Sequence, residues 1–173
     1  MKYRIRRAKR QDVKKVAALA VEAVEASISK MRDVPLEEVR RFRKKDLDSL
    51  HETLNNNAIG IFIAENIEDN EFLGHVIVMS GYLESSTGEE QGYIFDLSIK
   101  PQYRRLGIGK HLMKTAEDFC KAGGMKYMAL NVTASNDSAV DFYENLGYET
   151  ERRRMMKRLD KTGGNDADIR IQK

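Results

Sequence analysis

Apolar residues recur along this chain with two different periods, and each period indicates a different kind of element. One amphipathic helix is indicated by apolar residues at offsets of three and four, namely Val13, Val16, Ala17, Ala20 and Val24. Polar and apolar residues alternate over residues 2–8, as in a short strand. Along the whole chain, such patterns predict strands over residues 2–8, 58–65, 72–82, 92–99, 127–132 and 148–159, and helices that begin near residues 12 and 35 and span residues 107–122 and 137–146.

The order of these elements predicts the fold class. Along the chain it is β-α-α-β-β-β-α-β-α-β, which is an α+β mixture around a single mixed sheet with a strand–helix–strand crossover near its centre. No internal repeat or linker interrupts the pattern, so we expect one domain over residues 1–160. Residues 161–173 contain Gly163 and Gly164 and few apolar residues, which predicts a mobile C-terminal tail.

Composition narrows the class of protein. With 41% hydrophobic and 33% charged residues among 173, the chain can bury a core and does not belong to the disordered class. Its longest apolar runs, such as residues 58–64, are too short to cross a bilayer, and no apolar signal region follows the first residues. We therefore expect a cytoplasmic protein without a membrane partner. The single cysteine, Cys120, is expected to pack in a helix, and the three histidines lack metal-ligand spacing, so no metal is expected.

Charge changes sign twice along the chain. Residues 1–50 carry +7, residues 51–99 carry −9 and residues 100–173 carry +5, which gives the net charge of +3. A protein that tracks nucleic acid is expected to present a continuous basic face, so this pattern favours two sites of opposite charge over a nucleic-acid partner. The densest basic run, from Arg40 to Lys45, is followed by Asp46 and Asp48 and is interpreted as a solvated helix face.

The segment from Ile94 to Gly109 (IFDLSIKPQYRRLGIG) carries the most chemistry. A strand ends at Pro101, and a basic loop with two glycines then begins a helix. The first amide N–H groups of a helix have no internal acceptor and attract anions, and glycines let a phosphate approach them. A Walker loop would need glycine at position 104 and a dinucleotide-binding loop would need glycine at position 112. Because Arg104 and Leu112 occupy these positions, neither loop fits.

A third phosphate-binding pattern, Arg-x-x-Gly-x-Gly after a strand, is present as Arg104, Gly107 and Gly109. A second pattern, Asn-x-x-Ala-x-x-Phe-Tyr-x-x-x-Gly-Tyr, follows after one helix and one strand and runs from Asn136 to Tyr148. In this order the two patterns resemble the signatures of the GNAT superfamily of acetyl-CoA-dependent N-acetyltransferases, and the resemblance extends over residues 2–159. It implies a sheet whose central strand pair splays apart to bind acetyl-CoA.

The resemblance also implies which residues bind this cosubstrate. Backbone groups of Leu97 and Ile99 are expected to pair with the pantetheine arm, and amides of the loop are expected to hold the pyrophosphate. Asn136 is expected to contact the cofactor arm, and Tyr143 is expected to lie beside the thioester sulfur. The complete set that the resemblance implies is Leu97, Ser98, Ile99, Arg104, Arg105, Leu106, Gly107, Ile108, Gly109, Lys110, Asn136 and Tyr143.

Two catalytic residues follow from the same resemblance. Tyr143 is the candidate general acid for the departing thiolate, although its position also fits a core-facing stripe. Asp96 is the candidate general base, although a solvated strand carboxylate fits its position equally well, and Glu84 is a second candidate. A backbone N–H of the bulged strand, at Leu97, is expected to polarise the acetyl carbonyl.

The predicted function is acetyl transfer from acetyl-CoA to a primary amine by direct attack in a ternary complex. Because the −9 segment supplies the strands that border the acceptor side in this family, a cationic acceptor is expected, either a polyamine-like small amine or a protein or peptide N-terminus. Two alternatives stay open: a CoA-binding sensor of the same fold without turnover, and a nucleic-acid-binding module that uses the basic N-terminal helices. Arg152 to Arg154 could pair with acidic strands or with another subunit, which leaves a homodimer open.

Overall fold

In the computed structural model, which describes residues 1–159, five strands form one mixed sheet in the spatial order β1-β2-β3-β4-β5. The strands are β1 (Tyr3–Arg7), β2 (Ile59–Asn66), β3 (Phe72–Leu83), β4 (Glu90–Ile99) and β5 (Met128–Leu130). Adjacent strands from β1 to β4 are antiparallel, and β5 is parallel to β4. The helices are α1 (Val13–Glu22), α2 (Leu36–Leu47), α3 (Ile108–Ala122) and α4 (Asp137–Glu144), and short 3-10 turns cover Arg10–Asp12, Ala23–Ser27, Leu50–Asn55 and Pro101–Tyr103. The predicted α+β fold around a single mixed sheet is confirmed.

Two hydrophobic cores lie on the two faces of the sheet, because alternate residues of a strand point to opposite faces. On β3, Ile77 belongs to the core beneath α1 and α2, whereas Val76 and Val78 belong to the core beneath α3. The first core also contains Val16, Leu19, Ala20, Leu47, Leu50, Ile61 and Ile63, and the second contains Ile94, Ile108, Leu112, Met113 and Ala116. Because β4 pairs with β3 in the same sheet, its side chains also point alternately to these two faces.

The prediction of a final strand over residues 148–159 is wrong. These residues follow α4 without forming a strand, and β5 covers three residues instead of the predicted six. Residues 151–154 are charged and exposed, so they offer no apolar face that a strand at the sheet edge would bury.

Ion pairs hold this last described segment against the rest of the chain. Arg152 Nη1 lies 2.7 Å from Glu84 Oε1, and Arg158 Nη1 lies 3.6 Å from Asp33 Oδ2. The segment therefore connects the turn between β3 and β4 with the connection between α1 and α2. The predicted mobile tail, residues 161–173, lies outside the described residues, and the predicted domain over residues 1–160 stays a prediction.

A cluster of charged side chains joins β1, β2 and the start of α1. Arg6 donates to Asp12 at 2.7 Å and to Glu65 at 2.5 Å, and Arg4 donates to Glu65 at 2.6 Å. Both carboxylates are buried. The hydrogen bonds from Arg6 and Arg4 lower the pKa of Glu65. Burial alone would raise the pKa of Asp12, but hydrogen bonds from Arg6 and from the amide of Lys9 lower it.

This cluster predicts a loss of stability in acid. Because the pKa values of Asp12 and Glu65 are lowered in the folded state, the two carboxylates stabilise the fold above their unfolded pKa values of about 4. They lose this contribution as the pH falls through the lower folded values. Replacing Arg6 with methionine removes a partner from both carboxylates and should lower the free energy of unfolding at pH 7 by about 3 kcal/mol. Urea unfolding at pH 7 and at about pH 3 measures both effects.

The matched control is Arg4→Met. The Arg4 side chain is 53% exposed and, among residues 1–159, binds Glu65 and Asn70 alone, so its loss should lower the free energy of unfolding by less. The deficit of Arg6→Met relative to the unmodified protein should shrink at about pH 3, where the carboxylates take up protons. An equal deficit at both pH values would contradict this account.

Candidate active site

The loop between β4 and α3 turns sharply before the helix begins. Arg105 and Gly107 both have positive φ angles, of 65° and 78°, and α3 starts at the following residue, Ile108. The first hydrogen bond of the helix runs from His111 N to Gly107 O at 3.2 Å, so the amides of residues 108–110 have no acceptor within the helix. The dipole of this helix of 15 residues favours an anion at the same point. The turn brings together the predicted loop residues Arg104, Arg105, Leu106, Gly107, Ile108, Gly109 and Lys110.

The two glycines of this loop are required for different structural reasons. Gly107 has a left-handed backbone conformation, and a Cβ there would meet nothing within 4 Å. A Cβ on Gly109 would lie 3.2 Å from Cζ of Phe142, so this glycine lets α4 pack closely against α3. The sequence interpretation, in which both glycines make room for a phosphate, misses the packing role of Gly109, and the phosphate role of Gly107 stays a prediction.

Side chains of the loop divide into anchors and exposed cations. Ile108 is 1% exposed and packs in the core beneath α3, so it fixes the start of the helix and offers a ligand only its backbone. Arg104 Nε donates to Ile99 O at 3.2 Å and holds the loop to the end of β4. Arg105 and Lys110 are exposed beside the first turn of α3 and add positive charge there.

Strands β4 and β5 pair over only three residues each. Residues 92–94 of β4 lie opposite residues 128–130 of β5. Residues 96–99 continue to pair with β3 on the other side of β4. Within the described part of the chain, no strand pairs with the β5-facing edge of residues 95–99. The predicted splayed strand pair is therefore confirmed, and its open edge leads directly to the loop before α3.

A β-bulge determines which backbone groups face this open edge. The register with β3 shifts so that Phe95 is the extra residue of β4. Just after the strand, Lys100 N donates to a β3 carbonyl at 2.9 Å. Because alternate residues of a strand direct their backbone groups to the same side, Ser98 also faces β3, whereas Leu97 and Ile99 face the open edge. This is the orientation that the predicted backbone pairing of Leu97 and Ile99 requires.

Tyr143 lies on α4 and packs against the core beneath α3. Its ring contacts Phe142 and Tyr148 edge to face, with centroids 5.2 Å and 5.9 Å apart. Burial, together with the negative charge of Asp96, raises the pKa of Tyr143 to about 12. The phenol therefore keeps its proton at neutral pH. Tyr143 thus packs against the core beneath α3, and the charge of Asp96 on β4 is close enough to affect the pKa of its phenol.

Asp96 accepts hydrogen bonds from side chains of α2, β3 and β4. The donors are Arg43 Nη2 at 2.7 Å, His75 Nε2 at 2.8 Å and Ser98 Oγ at 2.8 Å. Burial alone would raise the pKa of Asp96, but the hydrogen bonds from His75 and Ser98 and the charge of Arg43 lower it to about 2. The interpretation of Asp96 as a solvated carboxylate does not hold. A carboxylate with this pKa is a weak proton acceptor, and the assignment of Asp96 as general base stays a prediction.

Asn136 caps α4 and ties it to the other side of the molecule. Its Oδ1 accepts from Ala139 N at 3.3 Å, and its Nδ2 donates to Ala26 O at 3.2 Å. Close by, Thr133 Oγ1 donates to Ser27 O at 2.7 Å. These bonds join the segment before α4 to the connection between α1 and α2. The side chain of Asn136 thus has a structural role, and its predicted contact with the cofactor arm stays a prediction.

Ion pairs within the fold neutralise much of the acidic segment. Four of its carboxylates bind cations from outside the segment: Glu65 with Arg4 and Arg6, Glu71 with Lys100, Glu84 with Arg152, and Asp96 with Arg43. The alternation of charge along the sequence is therefore explained in part by ion pairs that form within the folded chain. Less negative charge than predicted is available to attract a cationic acceptor. Arg152 pairs with Glu84, an acidic residue directly after β3. The other possibility for the arginine run, contact with a second subunit in a homodimer, stays a prediction.

Glu84, the second candidate for the base, stabilises the turn between β3 and β4. It accepts hydrogen bonds from the amides of Ser86 at 2.8 Å and Thr87 at 2.7 Å. Burial alone would raise the pKa of Glu84, but these amides, the Thr87 hydroxyl and Arg152 lower it to about 2. Like Asp96, Glu84 is an ionised carboxylate held by hydrogen bonds, and it is therefore a weak proton acceptor.

Two residues of this site were missed in the sequence. His75 is fully buried in β3, and the available signal was that an imidazole within an apolar strand needs a polar partner. Arg43 belongs to the basic run of α2 that was interpreted as solvated. Arg43 binds Asp46 at 2.9 Å as well as Asp96. The sequence spacing between Arg43 and Asp46 does not mark Arg43 as different from the exposed basic residues beside it.

Residues 1–159 contain neither a candidate membrane span nor a candidate metal site. No helix there combines the length and the apolar composition needed to cross a membrane. No three His, Cys, Asp or Glu side chains in that range are grouped so that they could hold a metal ion. The metal-free chemistry and the cytoplasmic location stay predictions.

Comparison with known proteins decides the family. Residues 27–148, well over half of the chain, match the family described as the acetyltransferase (GNAT) family. The chain belongs to this family. It is accordingly an acetyl-CoA-dependent acyltransferase, and acetyl-CoA is the cosubstrate that this fold binds.

The curated relatives of this GNAT acetyltransferase include several N-terminal acetyltransferases. The N-terminal acetyltransferase B complex catalytic subunit NAA20 of Arabidopsis thaliana is 30% identical over 122 residues, which cover 65% of this chain and 68% of the relative. N-alpha-acetyltransferase daf-31 of Caenorhabditis elegans is 36% identical over 86 residues, which cover 49% and 45%. N-alpha-acetyltransferase 50 of Danio rerio is 37% identical over 68 residues, which cover 39% and 40%. The chain thus spans less than half of the length of the last two relatives.

Solved structures of the same fold agree with this assignment. A Pyrococcus furiosus protein described as an acetyl transferase is 28% identical with a TM-score of 0.74, and the match covers 91% of this chain and 100% of that one. AAC(6')-Iy, solved in complex with the bisubstrate analogue CoA-S-monomethyl-acetylneamine, is 16% identical with a TM-score of 0.66, and the match covers 92% and 99%. At this identity the second match shows the fold alone.

Proposed function

We propose that this GNAT acetyltransferase transfers the acetyl group of acetyl-CoA to the α-amino group of a protein or peptide N-terminus. The observation that carries acetyl transfer is the open edge of β4, with the first-turn amides of α3 at one end and the protonated phenol of Tyr143 nearby. The choice of acceptor is supported by the relatives described as N-terminal and N-alpha acetyltransferases.

The residues of the open edge and the loop fit acetyl-CoA. Backbone groups of Leu97 and Ile99 would pair with the extended pantetheine arm as with a further strand. Amides of residues 108–110 would hold the pyrophosphate, because Gly107 adds no side chain beside them and Arg105 supplies positive charge. The backbone of Ser98 faces β3 and its hydroxyl donates to Asp96, so its contribution would be to hold Asp96.

Acetyl transfer requires one bond to form and one to break. The neutral amine nitrogen bonds to the acetyl carbon, and the bond between that carbon and the sulfur breaks. The product amide keeps one of the two amine protons, and the other passes to solvent. We propose that Tyr143 donates its proton to the departing sulfur and regains one from solvent, so the balance is one amide and one thiol. The N–H of Leu97, which faces the open edge, would donate to the acetyl oxygen as negative charge develops there.

An N-terminal amine needs little help from a base. An α-amine with a pKa of about 7.8 is roughly 14% neutral at pH 7, whereas a lysine amine with a pKa of about 10.4 is roughly 0.04% neutral. A site whose candidate base, Asp96, has a pKa of about 2 therefore suits an α-amine better than a lysine side chain.

The proposal is tested by comparing three acceptors with purified protein and acetyl-CoA. The first is a peptide with a free N-terminus, the second is the same peptide with a blocked N-terminus and a free lysine, and the third is a polyamine. We expect thiol release and a mass increase at the free N-terminus, with rates at least about tenfold lower for the other two. Faster turnover with the polyamine would contradict the choice of acceptor. Binding of coenzyme A without thiol release with any amine would favour the sensor alternative and contradict acetyl transfer.

A further inference from the structure

Three side chains from three elements meet at Asp96. Arg43 Nη2 donates to Asp96 Oδ2 at 2.7 Å, and His75 Nε2 donates to Asp96 Oδ1 at 2.8 Å. Asp46 binds the same guanidinium from behind at 2.9 Å. The side chains of Arg43 and Asp96 are 21% and 13% exposed, so the ion pair is partly shielded from water. The function proposed above leaves Arg43 and His75 without a role.

This ion pair lies where the open edge of β4 meets the side covered by α1 and α2. Asp96 directly follows the bulge and is two residues beyond Ile94, the last residue of β4 that pairs with β5. Asp96 lies opposite Ile77, whose side chain packs in the core beneath α1 and α2, so the carboxylate points to that face. Arg43 approaches from α2 on the same face.

The row of hydrogen-bonded side chains ends at His75. Asp96 is an acceptor for both His75 and Ser98. His75 is fully buried, and its Nδ1 has no hydrogen-bond partner among the described residues. The ion pair between Arg43 and Asp96 can therefore act on its surroundings through its charge.

We propose that Arg43 is a positioning residue of the acceptor site, which neutralises Asp96 so that the site does not hold the acceptor amine as an ammonium ion. This inference rests on the N-terminal acetyltransferase function proposed above. An ionised carboxylate stabilises the charged form of a nearby amine, and a guanidinium bonded to that carboxylate cancels most of this effect. Only the neutral amine has the lone pair that attacks the acetyl carbon, so cancellation favours the reactive form.

The pH dependence of a single turnover tests this role. Acetyl-CoA is bound to excess enzyme, a saturating N-terminal peptide is added, and the rate of amide formation is followed from pH 6 to 10. The rate should rise with pH as the bound amine loses its proton. The groups that face Asp96 are Arg43 with Asp46 behind it from α2, His75 from β3, Ser98 from β4 and Tyr143 from α4.

The sign of each shift is specific to the proposal. Arg43→Gln removes the guanidinium from Asp96, which keeps its hydrogen bonds from His75 and Ser98, and should move the midpoint of the rise to higher pH by about one unit. Asp96→Asn removes the carboxylate charge and leaves Arg43 paired with Asp46 alone, so it should move the midpoint to lower pH. The double variant and Arg43→Lys should both keep the midpoint of the unmodified enzyme. Arg41→Gln is the matched control, because Arg41 is an exposed neighbour on α2 and its loss changes the net charge equally.

Other outcomes overturn the inference. If Arg43 only anchors α2, Arg43→Gln will lower the rate by the same factor at every pH without moving the midpoint. If Asp96 is the general base, Asp96→Asn will lose rate at every pH and its midpoint will not move to lower pH. If Arg43→Gln does not fold, the direction in which Asp96→Asn moves the midpoint of the pH–rate profile decides between the proposal and these alternatives. Failure of the proposed function is distinguishable, because the unmodified enzyme would then acetylate no N-terminal peptide.

Discussion

Replacing Gly107 with valine should weaken the binding of coenzyme A by at least about tenfold, a loss of about 1.4 kcal/mol. Gly107 has a φ angle of 78°, a conformation that a β-branched residue adopts only with strain. The new side chain would also stand directly before the amides that begin α3, where the pyrophosphate is proposed to lie. Calorimetric titration of the variant with coenzyme A measures the loss.

Gly124 provides a matched control at the opposite end of the same helix. Its φ angle is 83° and a Cβ there would meet nothing within 4 Å, so Gly124→Val carries a similar conformational strain. Both variants should lower the melting temperature, but only Gly107→Val should weaken the binding of coenzyme A. Equal affinities in the two variants would mean that the loop does not hold the pyrophosphate.

The order of the fold could be predicted from the sequence because local patterns encode most of its elements. Periodicity defines α1, and a basic glycine-containing loop separates β4 from α3. The exception is the predicted strand over residues 148–159. Whether a segment at the edge of a sheet forms a strand depends on the neighbour with which it would pair. Here that neighbour, β5, has only three residues, and the charged run of residues 151–154 has no apolar face to pack beside it.

The candidate site could be predicted where its residues belong to one of the two sequence motifs. The loop from Arg104 to Lys110 forms one turn, so its sequence carries its chemistry. The ion pair of Arg43 with Asp96, and the hydrogen bond from His75, join residues from α2, β4 and β3. No local pattern in any one of these elements indicates the other two. The bulge at Phe95 was expected from the family resemblance, but no glycine or proline marks its position in the strand.

Replacing Tyr143 with phenylalanine should lower kcat by about 10² to 10⁴ and leave the affinity for coenzyme A unchanged. The substitution removes one hydroxyl and keeps the ring that contacts Phe142 and Tyr148, so the packing of α4 is retained. Because burial raises the pKa of Tyr143 to about 12, the phenol is protonated over the whole range in which the enzyme is assayed. The loss should therefore be similar at every pH. Steady-state kinetics and calorimetric titration together measure the two effects.

Tyr148→Phe is the matched control, because it removes a hydroxyl from the neighbouring ring. The Tyr148 hydroxyl donates to Glu117 of α3 at 3.3 Å, so its bond is directed toward α3 and not toward the open edge of β4. Burial raises the pKa of Tyr148 as well, so a protonated, half-buried phenol is by itself no sign of an acid. If Tyr148→Phe lowers kcat as much as Tyr143→Phe does, the loss comes from disturbed packing around α4. If neither variant loses activity, Tyr143 is a packing residue and another group protonates the sulfur. Only a fall in kcat that is specific to Tyr143 fits a proton donor whose action depends on its position beside the splayed strands.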